Sequence, residues 1–195
     1  MYRRGPSGEA EPMPEYIYLI RHGQSTFNAL FDLNRVDPLH FDARLSQIGI
    51  EQVAAARQAA SDIPVDLVVV SPLTRAIQTA VGLYDEATVP MVVTDLHRER
   101  LENSCDIGRS PSALSAEFPI LTFDHLSDPW WHDGQKDNRG VAVEPDHLFA
   151  QRVIDFSRWL RARPEDVVVV VGHGGFFRRL SGRNLRNCEI MEWRP

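Results

Sequence analysis

Cysteine is scarce in this chain: Cys105 and Cys188 are the only two in 195 residues. Two cysteines make no disulfide framework, and their spacing is not that of a metal site. Both read as reduced thiols, and a cytoplasmic location is expected. Long apolar runs are also missing. None approaches the roughly 18 residues that span a bilayer, which argues against a membrane role. Positive charge is not in excess, since the formal net charge is −6. That balance argues against a nucleic-acid or membrane-surface binder. Residues 1–14, MYRRGPSGEAEPMP, hold glycine, proline and charge but no apolar core of a signal peptide. They are expected to be a disordered lead-in. Residues 15–195 then form one domain, a length that can bury a substantial core.

What is present is an alternation of strand-like and helix-like segments. Tyr16–Ile20, Asp66–Val70, Met91–Thr94, Asp166–Val171 and Cys188–Trp193 read as strands. DLVVV and DVVVVV are continuous apolar runs of the kind buried in parallel sheets. Gln47–Ala60 reads as a helix with Ser46 as its N-cap. A second helix runs to about Leu83, with Ser71 as N-cap and Pro72 at the first helical position. Asp146–Arg163 carries Phe149, Val153, Phe156 and Leu160 on one helical face. The GGFFRRLSG stretch opens a last helix. This order predicts a three-layer α/β/α sandwich with a mainly parallel central sheet. Asn103–Glu144 lacks periodicity and is expected to be a functional loop or lid.

Ligands of open α/β sheets bind beyond the carboxyl ends of the strands. Four expected strands end in chemically loaded residues. Arg21, His22 and Gly23 follow the first, Arg75 the second, Glu99 the third and His173 the fourth. On one rim these make a cationic pocket with one acid in it, which suits a phosphoryl group. Arg21 and Arg75 can each fork onto phosphate oxygens. Asn28 adds an amide donor, and Gly23 lets backbone approach closely. A histidine among these cations stays neutral and can attack phosphorus itself. A second histidine can stabilise the equatorial oxygens. A carboxylic acid can protonate the leaving oxygen and then activate water. The charge is supplied by side chains, so neither metal nor cofactor is expected. Gly172-x-Gly174 resembles the start of a dinucleotide loop, but Phe177 occupies the third glycine position.

Arg21-His22-Gly23 with Ser25 and Asn28 resembles the signature of the histidine phosphatase superfamily, also called phosphoglycerate mutase-like. DARLSQIGIEQ (Asp42–Gln52), SPLTRAIQTA (Ser71–Ala80), His97-Arg98-Glu99 and VGHGG (Val171–Gly175) extend the resemblance from Tyr16 to Trp193. It implies a phosphoglycerate mutase-like fold and a catalytic domain over 15–195. By the resemblance, His22 is the phosphorylated nucleophile and Glu99 the proton donor. Arg21, Asn28, Arg75 and His173 bind the phosphoryl group, while Gly23, Ser25 and Gly174 shape the backbone around it. Many relatives read G-x-W-E-G after the acid, whereas this chain has ERLENSCDIGRS. Glu102 is therefore a rival for the acid role.

The expected function is metal-independent hydrolysis of a small phosphorylated substrate, with inorganic phosphate as product. One alternative is a phosphoglycerate mutase. It ranks second because family mutases carry longer insertions and a C-terminal tail, whereas this chain stops at Pro195, just after the last expected strand. The other is a non-catalytic phosphate-binding module. Arg98, Arg100 and Arg109 hint at a second anionic group on the substrate. His125, Trp130, Trp131 and His132 either line a specificity pocket or pack the long loop.

Overall fold

The computed structural model of the chain describes residues 13–85 and 87–194. The expected lead-in lies, up to residue 12, outside the described residues. The strands are β1 (Tyr16–Arg21), β2 (Leu67–Val70), β3 (Met91–Val93), β4 (Val167–Gly172) and β5 (Ile190–Trp193). The helices are α1 (Thr26–Asn34), α2 (Gln47–Ser61), α3 (Thr74–Leu83), α4 (Pro111–Glu117), α5 (Asp146–Arg161) and α6 (Gly174–Ser181). The sheet order is β3-β2-β4-β1-β5. β1, β2, β3 and β4 pair in parallel, and β5 closes one edge antiparallel to β1.

Alternation along the strands explains the layers. Ile17, Leu19, Leu67, Val69, Val168 and Val170 face α5 and α6. Ile20, Val68, Val70, Val169 and Val171 face α2 and α3. Valine dominates because its branched Cβ is stiff and fits a pleated surface buried on both sides. Phe149, Val153, Phe156 and Leu160 are all buried, as their spacing predicts. Register sets the rim of the sheet. Arg21 lies opposite Gly172, and both Ile20 and Val70 lie opposite Val171, so β1, β2 and β4 finish level.

Several elements differ from expectation. α3 begins at Thr74, with Leu73 in the cap position and no side-chain cap bond. Ser71 is thus no N-cap, because its hydroxyl is committed to His173, 2.7 Å away. α1 was not expected at all. It shows a weak apolar face, burying only Phe27, and it starts through its cap rather than its pattern. The stretch from Asn103 to Glu144 is neither structureless nor a free lid. It contains a 3-10 turn at Ser104–Asp106 and the helix α4. Leu114, Leu121, Phe123, Leu126 and Trp130 are buried against the α2 and α3 side of the sheet. Cys188 is not in β5; it sits at φ 56°, in the turn before the strand. Among the described residues no helix is long and apolar enough to cross a membrane.

His97 belongs to this framework. Its Nε2 bonds the Val171 carbonyl at 3.1 Å, and its ring stacks on Phe156 with centroids 4.9 Å apart. Burial pulls its pKa down to about 3. The unfolded chain takes up that proton near pH 6.5, whereas the folded one does not. The group's contribution to stability is therefore whole above that pH and falls by about 1.4 kcal/mol per pH unit below it. His97→Gln is expected to flatten the acid limb of stability. Urea midpoints for both proteins at pH 5 and pH 7 measure this, and parallel limbs would contradict it.

Candidate active site

The level ends of β1, β2 and β4 open into a pocket of about 300 Å³. Arg21, His22, Ser25, Asn28, Arg75, Glu99 and Gly174 line it. Gly23 and His173 are not among its lining residues, but both adjoin His22, Gly23 in the chain and His173 through its ring. Phe27, Phe31 and Phe149 also line it and add apolar surface.

His22 is 4% exposed. Its Nδ1 lies 2.7 Å from the Gly23 carbonyl, which can only accept, so the ring proton sits on Nδ1. Nε2 is left with its lone pair, and Arg75 Nε donates to it at 3.2 Å. Burial pulls the pKa of His22 well below its ordinary value, and the charges of Arg75 and Arg21 push the same way. Both effects favour the neutral ring, and a neutral ring with its lone pair on Nε2 can act as a nucleophile.

Arg75 is buried and pinned from three sides. Besides His22, it donates to the Cys105 carbonyl at 2.6 Å and to Asp106 Oδ1 at 2.9 Å. Asp106 was not singled out from the sequence, because it lies in the aperiodic stretch and its partner is far away in the chain. Arg21 Nη1 donates to the Leu185 carbonyl at 2.9 Å, while its buried Nε has no partner among the described residues. His173 stacks beside His22, with ring centroids 5.2 Å apart. Ser71 Oγ holds its Nε2 and leaves Nδ1 buried and without a partner among the described residues. Burial also lowers the pKa of His173, with Arg75 and His22 adding to the effect.

Asn28 and Ser25 share a capping box. Asn28 Oδ1 accepts from the Ser25 amide at 3.2 Å and from its hydroxyl at 3.0 Å. With Oδ1 used, the Nδ2 group of Asn28 remains as a donor. Gly23 serves a different approach from the one expected. A Cβ there would lie 2.7 Å from the Gly49 carbonyl oxygen, so the glycine admits the start of α2. Gly174 clears Arg21, since a Cβ there would stand 3.0 Å from Arg21 Nε.

Glu99 is half-buried, with Oε2 accepting from the Gly175 amide at 2.8 Å and Oε1 from the Arg100 amide at 3.0 Å. Burial raises its pKa above the usual carboxyl value, and the neighbouring Asp106 adds to this. Gly175 makes room for the carboxyl, because a Cβ there would lie 2.6 Å from Glu99 Oε1 and would push it aside. It falls inside the VGHGG box, which was the one sequence signal for it. Glu102 stands on the rim instead, 53% exposed and paired with Arg100 at 2.9 Å.

The basic residues expected near a second anion divide. Arg98 is consumed by Glu144 at 3.0 Å. Arg109 is consumed by Asp42, Glu117 and Thr74, each at 2.8 Å. Arg100 alone of the three lines the pocket, joined there by Arg35 and Arg178, which the sequence reading passed over. The aromatic residues of the long stretch pack it rather than line the site. Trp130 Nε1 donates to the Arg109 carbonyl at 2.8 Å, and Trp130 meets Trp131 edge to face at 5.2 Å. His125 bonds the Val93 carbonyl at 2.8 Å. Among the described residues no group of three or more His, Cys, Asp and Glu is placed to hold a metal ion.

Residues 17–194 match the profile of the histidine phosphatase superfamily (branch 1). The chain is 29% identical to glucosyl-3-phosphoglycerate phosphatase of Mycolicibacterium vanbaalenii, over 85% of this chain and 72% of that one. It is 26% identical to a phosphoglycerate mutase-like protein of Arabidopsis thaliana, over 88% of this chain and 75% of that one. Among solved structures, alpha-ribazole phosphatase from Shigella flexneri superposes with a TM-score of 0.61 at 23% identity. That match covers 91% of this chain and 89% of the other.

Proposed function

Since the chain belongs to the histidine phosphatase superfamily, branch 1, we propose that it hydrolyses a small phosphomonoester through a phosphohistidine on His22. The observation that carries this reading is the state of His22. Its Nδ1 proton is held by a carbonyl, and its unprotonated Nε2, which accepts from Arg75, belongs to a pocket lined by Arg21 and Arg75. The relatives named as phosphatases support the same class of reaction.

In the first step His22 Nε2 attacks phosphorus and forms a P–N bond as the ester P–O bond breaks. The carboxylic acid of Glu99 gives its proton to the departing oxygen, which leaves as an alcohol. In the second step the Glu99 carboxylate takes a proton from water, whose oxygen attacks phosphorus. The P–N bond breaks, inorganic phosphate leaves, and Glu99 is protonated again. Arg21 and Arg75 neutralise the phosphoryl oxygens in both steps. Asn28 Nδ2 and His173 Nδ1, whose other acceptors are already occupied, serve as further donors. The charge that a metal would provide comes from guanidinium groups. The partners are therefore the phosphorylated substrate and phosphate, and the carboxyl donor is Glu99 rather than Glu102.

Hydrolysis of para-nitrophenyl phosphate in the presence of EDTA tests this function. Steady release of phosphate is expected. Loss of activity on chelation, restored by added metal, would contradict it. Faster conversion of 3-phosphoglycerate to 2-phosphoglycerate than release of phosphate would favour the mutase instead.

A further inference from the structure

The segment that carries Glu99 has little regular structure of its own. After the 3-10 turn Asp95–His97 the chain runs irregularly to Asn103. Its carbonyls are held by one side chain from α5. Arg152 Nη1 donates to the Leu96 carbonyl at 3.1 Å and to the Arg98 carbonyl at 2.6 Å, and Nη2 reaches the Glu99 carbonyl at 3.4 Å. Arg152 is fixed in turn by Glu144, through Nε at 3.0 Å and Nη2 at 2.5 Å. Glu144 also takes Arg98 at 3.0 Å, and its backbone closes the segment from the far side. Its amide donates to the Leu101 carbonyl at 2.8 Å, and its carbonyl accepts Arg100 Nε at 3.0 Å. Glu144 is 2% exposed and Arg152 8% exposed.

Burying two guanidiniums and a carboxylate removes their hydration, and an apolar cluster of the same size is often as stable. What such a cluster supplies here is geometry. Each carbonyl that Arg152 gathers belongs to the acid's residue or to one within three positions of it. A planar fork with five donors does this where an ammonium cannot. Building on the reaction proposed above, we infer that Arg152 and Glu144 are positioning residues that hold the Glu99 carboxyl at the leaving-group oxygen. They touch no substrate and act only through Glu99.

A positioning role and a purely structural one separate by leaving group. para-Nitrophenolate departs without a proton, whereas an alkoxide does not. In Arg152→Lys and Glu144→Gln, kcat/KM for an alkyl phosphate is expected to fall by about 10²-fold, while that for para-nitrophenyl phosphate stays within about threefold. The ratio of the two is taken on one preparation, so partial unfolding of a variant cancels. Water activation also needs Glu99, so para-nitrophenyl phosphate should give a burst of product and a phosphorylated enzyme. Adding Glu144→Gln to Glu99→Gln should leave the ratio where Glu99→Gln alone puts it. Equal losses on both esters, no loss on either, or a further drop in the double variant would each overturn the inference. Activity retained by His22→Ala would instead remove the reaction on which it rests.

Discussion

His22→Ala is expected to lower kcat/KM for para-nitrophenyl phosphate by at least about 10⁴-fold, the scale on which loss of a covalent nucleophile falls. The substitution removes the Nε2 lone pair but none of the cations around it. Arg75 keeps Asp106 at 2.9 Å and the Cys105 carbonyl at 2.6 Å, and Arg21 keeps the Leu185 carbonyl at 2.9 Å. The cradle therefore survives, and inorganic phosphate should still bind. Calorimetric titration of the variant with phosphate measures that directly. Loss of binding together with activity would mean that the histidine holds the pocket open rather than attacking phosphorus. Retention of the rate would remove the covalent mechanism.

Glu99→Gln is expected to cost about 10²- to 10⁴-fold on alkyl phosphates and far less in kcat/KM on para-nitrophenyl phosphate. Glutamine keeps the shape, and its one carbonyl oxygen can accept from either the Gly175 or the Arg100 amide, but it has no acidic proton to give. The pH dependence carries the same signature. Burial, and next the charge of Asp106, raise the pKa of Glu99, so it stays an acid at a pH where an exposed glutamate has ionised. With alkyl phosphates, kcat/KM should therefore be greatest below that raised pKa and should fall as pH rises through it. The glutamine variant should lack this limb. Burial, Arg75 and Arg21 lower the pKa of His22, so the nucleophile remains neutral well into the acid range. An alkaline limb that persists in Glu99→Gln, or one that disappears in Glu102→Gln instead, would move the acid role.

Strand ends were the most legible part of this sequence. Runs such as DVVVVV announce their layer, and a histidine between glycines directly after such a run has one place to go. The four expected strands that carry Arg21, Arg75, Glu99 and His173 fall within a residue or two of their observed limits. Local grammar misled at Ser71. Ser-Pro before a helical stretch reads as a cap, yet a tertiary partner, His173, claims the hydroxyl. At Ser25 and Asn28 the same residues that carry the family signature also form a capping box, so a helix with almost no apolar face went unread. Asp106 and Arg109 were illegible for a common reason. Their partners, Arg75 and Asp42, lie 31 and 67 positions away. Periodicity carries nothing about pairings of that range, and a loop rich in them looks patternless until it is folded. Arg152 was hidden differently, since it sits on the buried side of a helix whose apolar face was already explained by phenylalanines.

The most direct test of the central claim is to trap the intermediate. Enzyme mixed with a phosphate-labelled ester, quenched in alkali and digested, should carry the label on the peptide that contains His22. That label should be stable to base and lost in acid, as a phosphoramidate is. Label on a serine, threonine or carboxylate, or turnover with no covalent label at any time, would contradict the account.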